Sequence, residues 1–231
     1  NGTYSRGYSV KHMKNAVIVS GGNIDTDFAL DFLKKNTTED TWRIAADRGL
    51  EFFRNTGLIP DAAIGDFDSL SSEGMEYLES LADTEIIRLK PEKDDSDTQS
   101  AVCFAMDRGA ERIFVLGATG KRIDHLLANF GLLVLGAERG VEIILADPWN
   151  YMKLVKSGTI LKKTEQFGKY VSFFSLNGDV PGLTLKGFKY PLDRHYLTAA
   201  DSGLTVSNEI AQEEASIEFD KGILLMLMTK D

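Results

Sequence analysis

Between residues 16 and 147, short apolar runs alternate with segments of helical period, and no other feature of the sequence restricts the fold as much. The runs "AVIVSGG" (16–22), "WRIAAD" (42–47), "DAAIGD" (61–66), "EIIRLK" (85–90), "RIFVLGA" (112–118) and "VEIILAD" (141–147) are short and mostly end in Gly or Asp, so each reads as a buried strand. Segments 25–36, 49–57, 71–82, 97–109 and 124–140 read as helices; in the first, Phe28, Phe32 and Leu33 share one face. Six strands joined by five helices predict right-handed crossovers and a parallel sheet covered on both faces. Ligands of such sheets bind outside the carboxyl ends of the strands. Asp47, Asp66, the "PEKDDSD" loop, "GATGKR" and Asp147 all fall there.

The pattern changes near residue 150. Short, partly alternating stretches follow, among them "KYVSFFSL", "LTLKGFKY", "GLTVSNEI" and "GILLMLMTK", separated by Gly, Asn and Asp turn signals. The expected fold is therefore a Rossmann-like α/β domain over 15–148, with a six-stranded parallel sheet and helices on both faces. An all-β sandwich or jelly roll follows over 149–231. Residues 1–14 lack the apolar core of a signal peptide; the segment reads as a tag or linker, with the "HM" at 12–13 a cloning scar and Met13 the native start.

The formal net charge of −9 argues against nucleic acid as a partner, because phosphate binding wants a basic surface. No apolar run approaches the roughly 18 residues needed to span a bilayer. Cys103 is the one cysteine, so no internal disulfide forms and a cytoplasmic, reducing location is expected.

Asp66 and Asp68 in "IGDFDSL" stand two apart. In extended backbone both point to one side and Phe67 to the other. Unpaired, they repel, and one takes up a proton unless a divalent cation relieves the strain. A turn into the helix at 71 accounts equally for an isolated pair. The loop after the fourth strand adds Asp94, Asp95 and Asp97, where a helix cap needs only one such residue. Two acid clusters at neighbouring strand ends favour a divalent metal site there. In "VLGATGKRIDH" (115–125), Gly117 and Gly120 let backbone approach a ligand, and Lys121 and Arg122 supply charge for phosphates. The spacing is not that of a P-loop. An ordinary glycine turn with Asp124 capping the next helix is the competing reading.

"AADRGL", "IGDFDSL", "PEKDDSDTQSA" and "LGATGKRIDHLLAN", in this order and spacing, resemble the bacterial thiamine pyrophosphokinases, and "GLTVSN" (203–208) resembles a short element of their C-terminal β domain. The resemblance covers nearly the whole chain from Met13 onward. It implies transfer of the pyrophosphoryl group of ATP to thiamine with Mg²⁺, by a homodimer whose site is shared between subunits. It further implies that Asp66, Asp68, Asp97 and Arg122 are catalytic, that Asp47, Asp66, Asp68 and Asp97 are the acids associated with Mg²⁺ and nucleotide, and that Asp66, Asp68 and Asp97 hold the Mg²⁺. Asp47, Gly49, Ser69, Gly117, Thr119, Gly120 and Arg122 would lie near ATP, and Asp94, Asp124, His125, Ser207 and Asn208 near thiamine. "ADRG" stands where the family often has "ADGG", and Lys121 where it often has Gly, so Arg48 and Lys121 receive no role. The alternatives are a pyrophosphokinase for another alcohol such as a pterin, a metal-dependent nucleotide hydrolase, and a nucleotide or thiamine sensor without turnover.

Overall fold

The central strands are continuous apolar runs because both their faces are covered. A computed structural model describes residues 13–90, 96–201 and 203–231. In chain order the first part contains β1 (Asn15–Val19), α1 (Thr26–Asn36), β2 (Thr41–Ala46), α2 (Leu50–Thr56), β3 (Ala62–Gly65), α3 (Ser72–Ser80), β4 (Glu85–Arg88), α4 (Asp97–Asp107), β5 (Arg112–Leu116), α5 (Ile123–Glu138) and β6 (Glu142–Ala146). These six strands are parallel, in the order β4-β3-β2-β1-β5-β6. Alternate residues serve opposite faces. Ile18, Ile44, Ile64, Val115 and Leu145 meet α4 and α5, whereas Val19, Ala45, Ala63, Leu116 and Ile144 meet α1, α2 and α3. Each buried Ile, Leu or Val contributes about 1.5–3 kcal/mol of burial, and this two-sided packing is what holds the strand ends in place.

The sheet does not stop at six strands. The carboxylate of Asp147 accepts the backbone N–H groups of Trp149 and Asn150, which turns the chain back on itself. β7 (Asn150–Val155) then pairs antiparallel with β6. After β8 (Thr159–Lys162), β9 (Tyr170–Ser175), β10 (Val180–Lys186), β11 (Leu192–Leu197) and β12 (Glu214–Glu218) comes β13 (Leu224–Thr229). Among the described residues the sheet has nine strands, ending β6-β7-β13-β9, and a second sheet has the order β11-β10-β12-β8. Val171, Phe173, Leu183, Leu185, Ile217, Leu224 and Met226 form the core between them. The expected count of six therefore describes the parallel part alone: a parallel edge at β6 would expose unpaired backbone, and β7 covers it. The β sandwich is built on the extension of the parallel sheet.

Three further details depart from the sequence reading. "GLTVSN" is not a strand; within it only Asn208 makes an isolated bridge, to Val171. "LDRHYL" is β11, an edge strand largely open to solvent. Met13, set aside with residues 1–14, is fully buried in the α4–α5 side of the core. Among the described residues no helix is long and apolar enough to cross a membrane.

Candidate functional site

The carboxyl ends of β2 and β3 bring three aspartates together. Oxygens of Asp47, Asp66 and Asp68 all lie within 4.8 Å of one another. Asp47 follows β2 with a left-handed backbone, φ 47°. Asp66 follows Gly65, and Phe67 between the two acids has φ 62° and is buried. The pair is thus presented by a turn, not by the extended backbone that the two-residue spacing suggested. Phe67 drops into the α1–α3 side of the core, with the Arg88 guanidinium 5.5 Å from its ring centroid. That anchor lets both acids face one side. A left-handed non-glycine residue costs on the order of 1–3 kcal/mol, and such residues gather at functional sites. Of five among the described residues, Asp47 and Ser207 are predicted site residues and Phe67 lies between two more.

The electrostatics suit a cation. Asp66 shares a hydrogen bond with the Asp68 carboxyl and repels its charge, and these push the Asp68 pKa up; slight burial and the charges of Asp47 and Asp97 add to it. The Asp68 backbone N–H donates to Asp66 Oδ1 at 3.2 Å. Ser69 donates its hydroxyl to Asp47 Oδ2 at 2.5 Å, and Asp47 Oδ1 is buried without a hydrogen-bond partner. A buried, unpartnered carboxylate oxygen beside two more carboxylates is a set of hard ligands with its charge unbalanced, and a divalent cation such as Mg²⁺ fits it. Asp97 opens α4 after the cap Ser96, which accepts from the Gln99 N–H at 3.1 Å; it acts on Asp68 through its charge and is not one of the three grouped acids. Asp94 and Asp95 lie outside the described residues.

The glycines have separate reasons. A Cβ on Gly49 would collide with the Val19 carbonyl, so Gly49 lets the turn after β2 press against the end of β1. Gly117 has φ +71°, and a Cβ there would stand 2.7 Å from the Ser20 carbonyl. Both are demanded by the protein itself, whereas Gly120 faces ordinary contacts only and leaves its side of the turn open. Asn129, which sequence reasoning passed over, holds this turn from α5: its amide donates to the Ala118 carbonyl at 2.8 Å from a buried position. Thr119 is half-buried at the turn, and His125 is exposed on the first turn of α5.

Arg122 takes the N-cap position of α5 without a side-chain cap, so Asp124 is a first-turn residue and not the cap. The two side chains pair with each other, Arg122 Nε standing 3.1 Å from Asp124 Oδ1. The Arg122 hydrogen bond holds the Asp124 carboxyl below its ordinary range, and Asp124 in turn raises the guanidinium.

Ser207 and Asn208 lie elsewhere. The Ser207 N–H donates to Ser172 Oγ on β9 at 3.0 Å, and Asn208 is bridged to Val171 of the same strand. In the sheet, β9 is six strand positions from β2, or about 29 Å along the sheet. One chain therefore does not bring these residues to its own aspartates. Asn208 is 2% exposed, and its carboxamide is engaged by backbone: Oδ1 accepts from the N–H groups of Tyr190 and Glu209, and Nδ2 donates to the Tyr190 carbonyl. These bonds fix the backbone at Tyr190, whose ring is exposed. The sequence offered a signal for Tyr190 in the polar turn "GFKYPL", but nothing that tied it to Asn208. A cavity of about 780 Å³ is at the opposite ends of the parallel strands, lined by Asn15, Arg112, Glu142, Lys153 and Leu224.

Comparison with known proteins adds the following. The family model "Thiamin pyrophosphokinase, catalytic domain" matches residues 33–145, and "Thiamin pyrophosphokinase, vitamin B1 binding domain" matches residues 158–224. The chain is 34% identical to a thiamine pyrophosphokinase of Bacillus subtilis (strain 168), over 95% of this chain and 100% of that one. A crystal structure of thiamine pyrophosphokinase from Bacillus subtilis superposes with a TM-score of 0.84 at 32% identity, covering 94% of this chain and all of the other. A thiamin pyrophosphokinase family protein from Enterococcus faecalis superposes with a TM-score of 0.78 at 33% identity, again over 94% and 100% of the two chains. Two family models and full-length identity of this degree show that the chain belongs to the thiamin pyrophosphokinase family.

Proposed function

We propose that this chain transfers the pyrophosphoryl group of ATP to the hydroxyl of thiamine, giving thiamine diphosphate and AMP. The observation that carries the chemistry is the grouping of Asp47, Asp66 and Asp68, with one buried carboxylate oxygen unpartnered, in a chain of this family. Mg²⁺ would be held by Asp66 and Asp68 with Asp47 and Asp97 beside them, and when bound it supplies positive charge against the phosphate oxygens. Ser69 orients Asp47 from below. The open turn at Thr119 and Gly120 receives the nucleotide. Arg122 leaves Asp124 as substrates enter, the guanidinium turning to the transferred diphosphate and the carboxylate to the aminopyrimidine. His125, next along the helix, lines the thiamine side. Phosphoryl transfer depends on positioning and charge stabilisation, so the placement of these charges selects the β-phosphorus for attack by the thiamine hydroxyl.

The other wall of the thiamine site comes from a second copy of the chain. The support is the separation of β9 from β2 in the sheet order: Ser207, with Asn208 holding Tyr190, completes a site only across a homodimer. An exposed aromatic ring suits a thiazolium cation. The single cysteine and the absence of a membrane-crossing helix among the described residues agree with a cytoplasmic enzyme.

The test is incubation of the protein with thiamine and Mg·ATP labelled separately at the β- and γ-phosphorus. Both labels are expected in thiamine diphosphate in equal amount, with AMP as nucleotide product and no label on the protein. ADP with thiamine monophosphate, inorganic phosphate alone, or no turnover would overturn the reading in favour of a simple kinase, a hydrolase or a sensor.

A further inference from the structure

The segment from Asp66 to Ser71 joins β3 to α3 and has no helix or strand of its own. Three like charges press on it, so something must hold it against Asp47. Besides the buried Phe67 ring, two hydrogen-bonded pins do so, and both engage the segment that follows β2. The first is the Ser69 hydroxyl on Asp47. The second is Glu51, on the first turn of α2. Its Oε1 accepts the Ser71 hydroxyl at 2.7 Å and the Ser71 N–H at 3.2 Å. The Ser71 oxygen in turn accepts the Gly74 N–H at 3.0 Å as the N-cap of α3. Arg54 Nε stands 2.8 Å from Glu51 Oε2 as an ion pair without hydrogen-bond alignment and neutralises the carboxylate from behind. Partial burial pushes the Glu51 carboxyl up, but the Ser71 hydrogen bonds and then Arg54 outweigh it and hold it below its ordinary range, so it is charged at neutral pH. Gly74 keeps the space clear: a Cβ there would collide with Glu51 Oε1.

We propose that Glu51 is a positioning residue for the carboxylate site: through Ser71 it sets where Asp66, Asp68 and Ser69 stand relative to Asp47, and thereby the affinity for the divalent cation. This rests on reading the three aspartates as a cation seat. Without Glu51 the turn keeps buried Phe67 and its Ser69 pin but loses the hold on its α3 end, and repulsion among the aspartates shifts it outward. Outer partners that orient metal ligands typically change affinity 10–100-fold when removed.

The experiment is Mn²⁺ titration of the nucleotide-free protein followed by electron paramagnetic resonance, beside melting curves and the Mg²⁺ dependence of turnover. Glu51→Ala is expected to weaken Mn²⁺ about tenfold, with Glu51→Gln, which keeps an acceptor oxygen, in between. Turnover at saturating Mg²⁺ stays near parental while the half-saturating Mg²⁺ concentration rises by a similar factor. Gly74→Ala strengthens helix propensity, while its Cβ, at a buried position, displaces the Glu51 carboxylate. It is expected to weaken Mn²⁺ as Glu51→Ala does, whichever way the melting temperature moves. Parental Mn²⁺ affinity in both Glu51→Ala and Gly74→Ala, with only stability altered, would overturn the proposal. Asp66→Asn separates the two ideas. If it abolishes Mn²⁺ binding while the Glu51 and Gly74 variants bind normally, Glu51 alone is wrongly assigned. If Mn²⁺ binding ignores Asp66→Asn, the cation seat fails and this proposal with it.

Discussion

At the scale of single residues, the pairing of Asp66 with Asp68 was readable from spacing, but the means of pairing was not. Extended backbone would have sent Phe67 to the opposite side; instead Phe67 is left-handed and buried, and the turn around it aims both acids. Nothing in "GDFDSL" distinguishes these two geometries, because the choice depends on a pocket made by distant residues. The consequence is testable at Asp68. Its pKa is raised in the folded chain, first by the hydrogen bond and charge of Asp66. The folded state thus holds that proton more tightly than the unfolded state, whose Asp titrates near 3.9. Its contribution is most favourable at acid pH and is lost as pH rises through the raised value. Asp68→Asn is expected to melt above the parent at pH 7 in EDTA, with the gap narrowing toward acid. The same variant should lose roughly a hundredfold or more in turnover. A variant that melts no higher at pH 7, or keeps near-parental turnover at saturating Mg²⁺, would contradict the cation-seat electrostatics.

At the scale of elements, the six parallel strands and five helices were legible because strands covered on both faces are written as unbroken apolar runs. β11 was not, since an exposed edge strand such as "LDRHYL" carries mostly polar side chains. "GLTVSN" failed in the other direction. Its alternation reads as a strand, yet it docks on β9 only at Thr205 and Asn208 by backbone hydrogen bonds, and side chains add to these: Thr205 donates to the Phe173 carbonyl, and Ser172 and Asn208 take up neighbouring backbone groups. The junction of the two halves of the sheet is held by Glu142 on β6, which accepts from Arg112 of β5 at 2.5 Å and from Lys153 of β7 at 2.7 Å. Burial pushes the Glu142 carboxyl up, but the bonds from Lys153 and Arg112 bring it below its ordinary range. Such a group stabilises the fold above the unfolded pKa near 4.3 and ceases to as pH falls through its lowered folded value. Glu142→Gln is expected to cost about 1 kcal/mol in denaturant melts at pH 7 and progressively less in acid. An undiminished cost at acid pH would mean the carboxylate acts through packing instead of charge.

At the scale of the whole molecule, the order of strands carries the functional argument. Six strand positions between β2 and β9 divide the predicted site residues into two groups that one chain does not unite. Asp66→Asn and the double variant Tyr190→Ala/Ser207→Ala should therefore each be inactive, and mixing them after subunit exchange should restore activity. Random pairing gives hybrids in half the dimers, each with one intact site, so about a quarter of parental activity is expected. No recovery, with exchange demonstrated by co-purification of differently tagged copies, would refute the shared site, as would a fully active monomer in sedimentation.

The sequence by itself determined the strand–helix alternation, the edge of the sheet on which polar residues collect, and the identities of the acids there. These follow from local periodicity and from the family resemblance of contiguous motifs. Tertiary structure alone decided that Asp47 joins Asp66 and Asp68, that Asn208 is spent on holding Tyr190, and that β7, β13 and β9 lengthen the catalytic sheet. The physical reason is range: side-chain spacing records which way a residue faces within its own element. The meeting of residues far apart in the chain depends on strand order and on backbone turns stabilised by packing that no local pattern encodes.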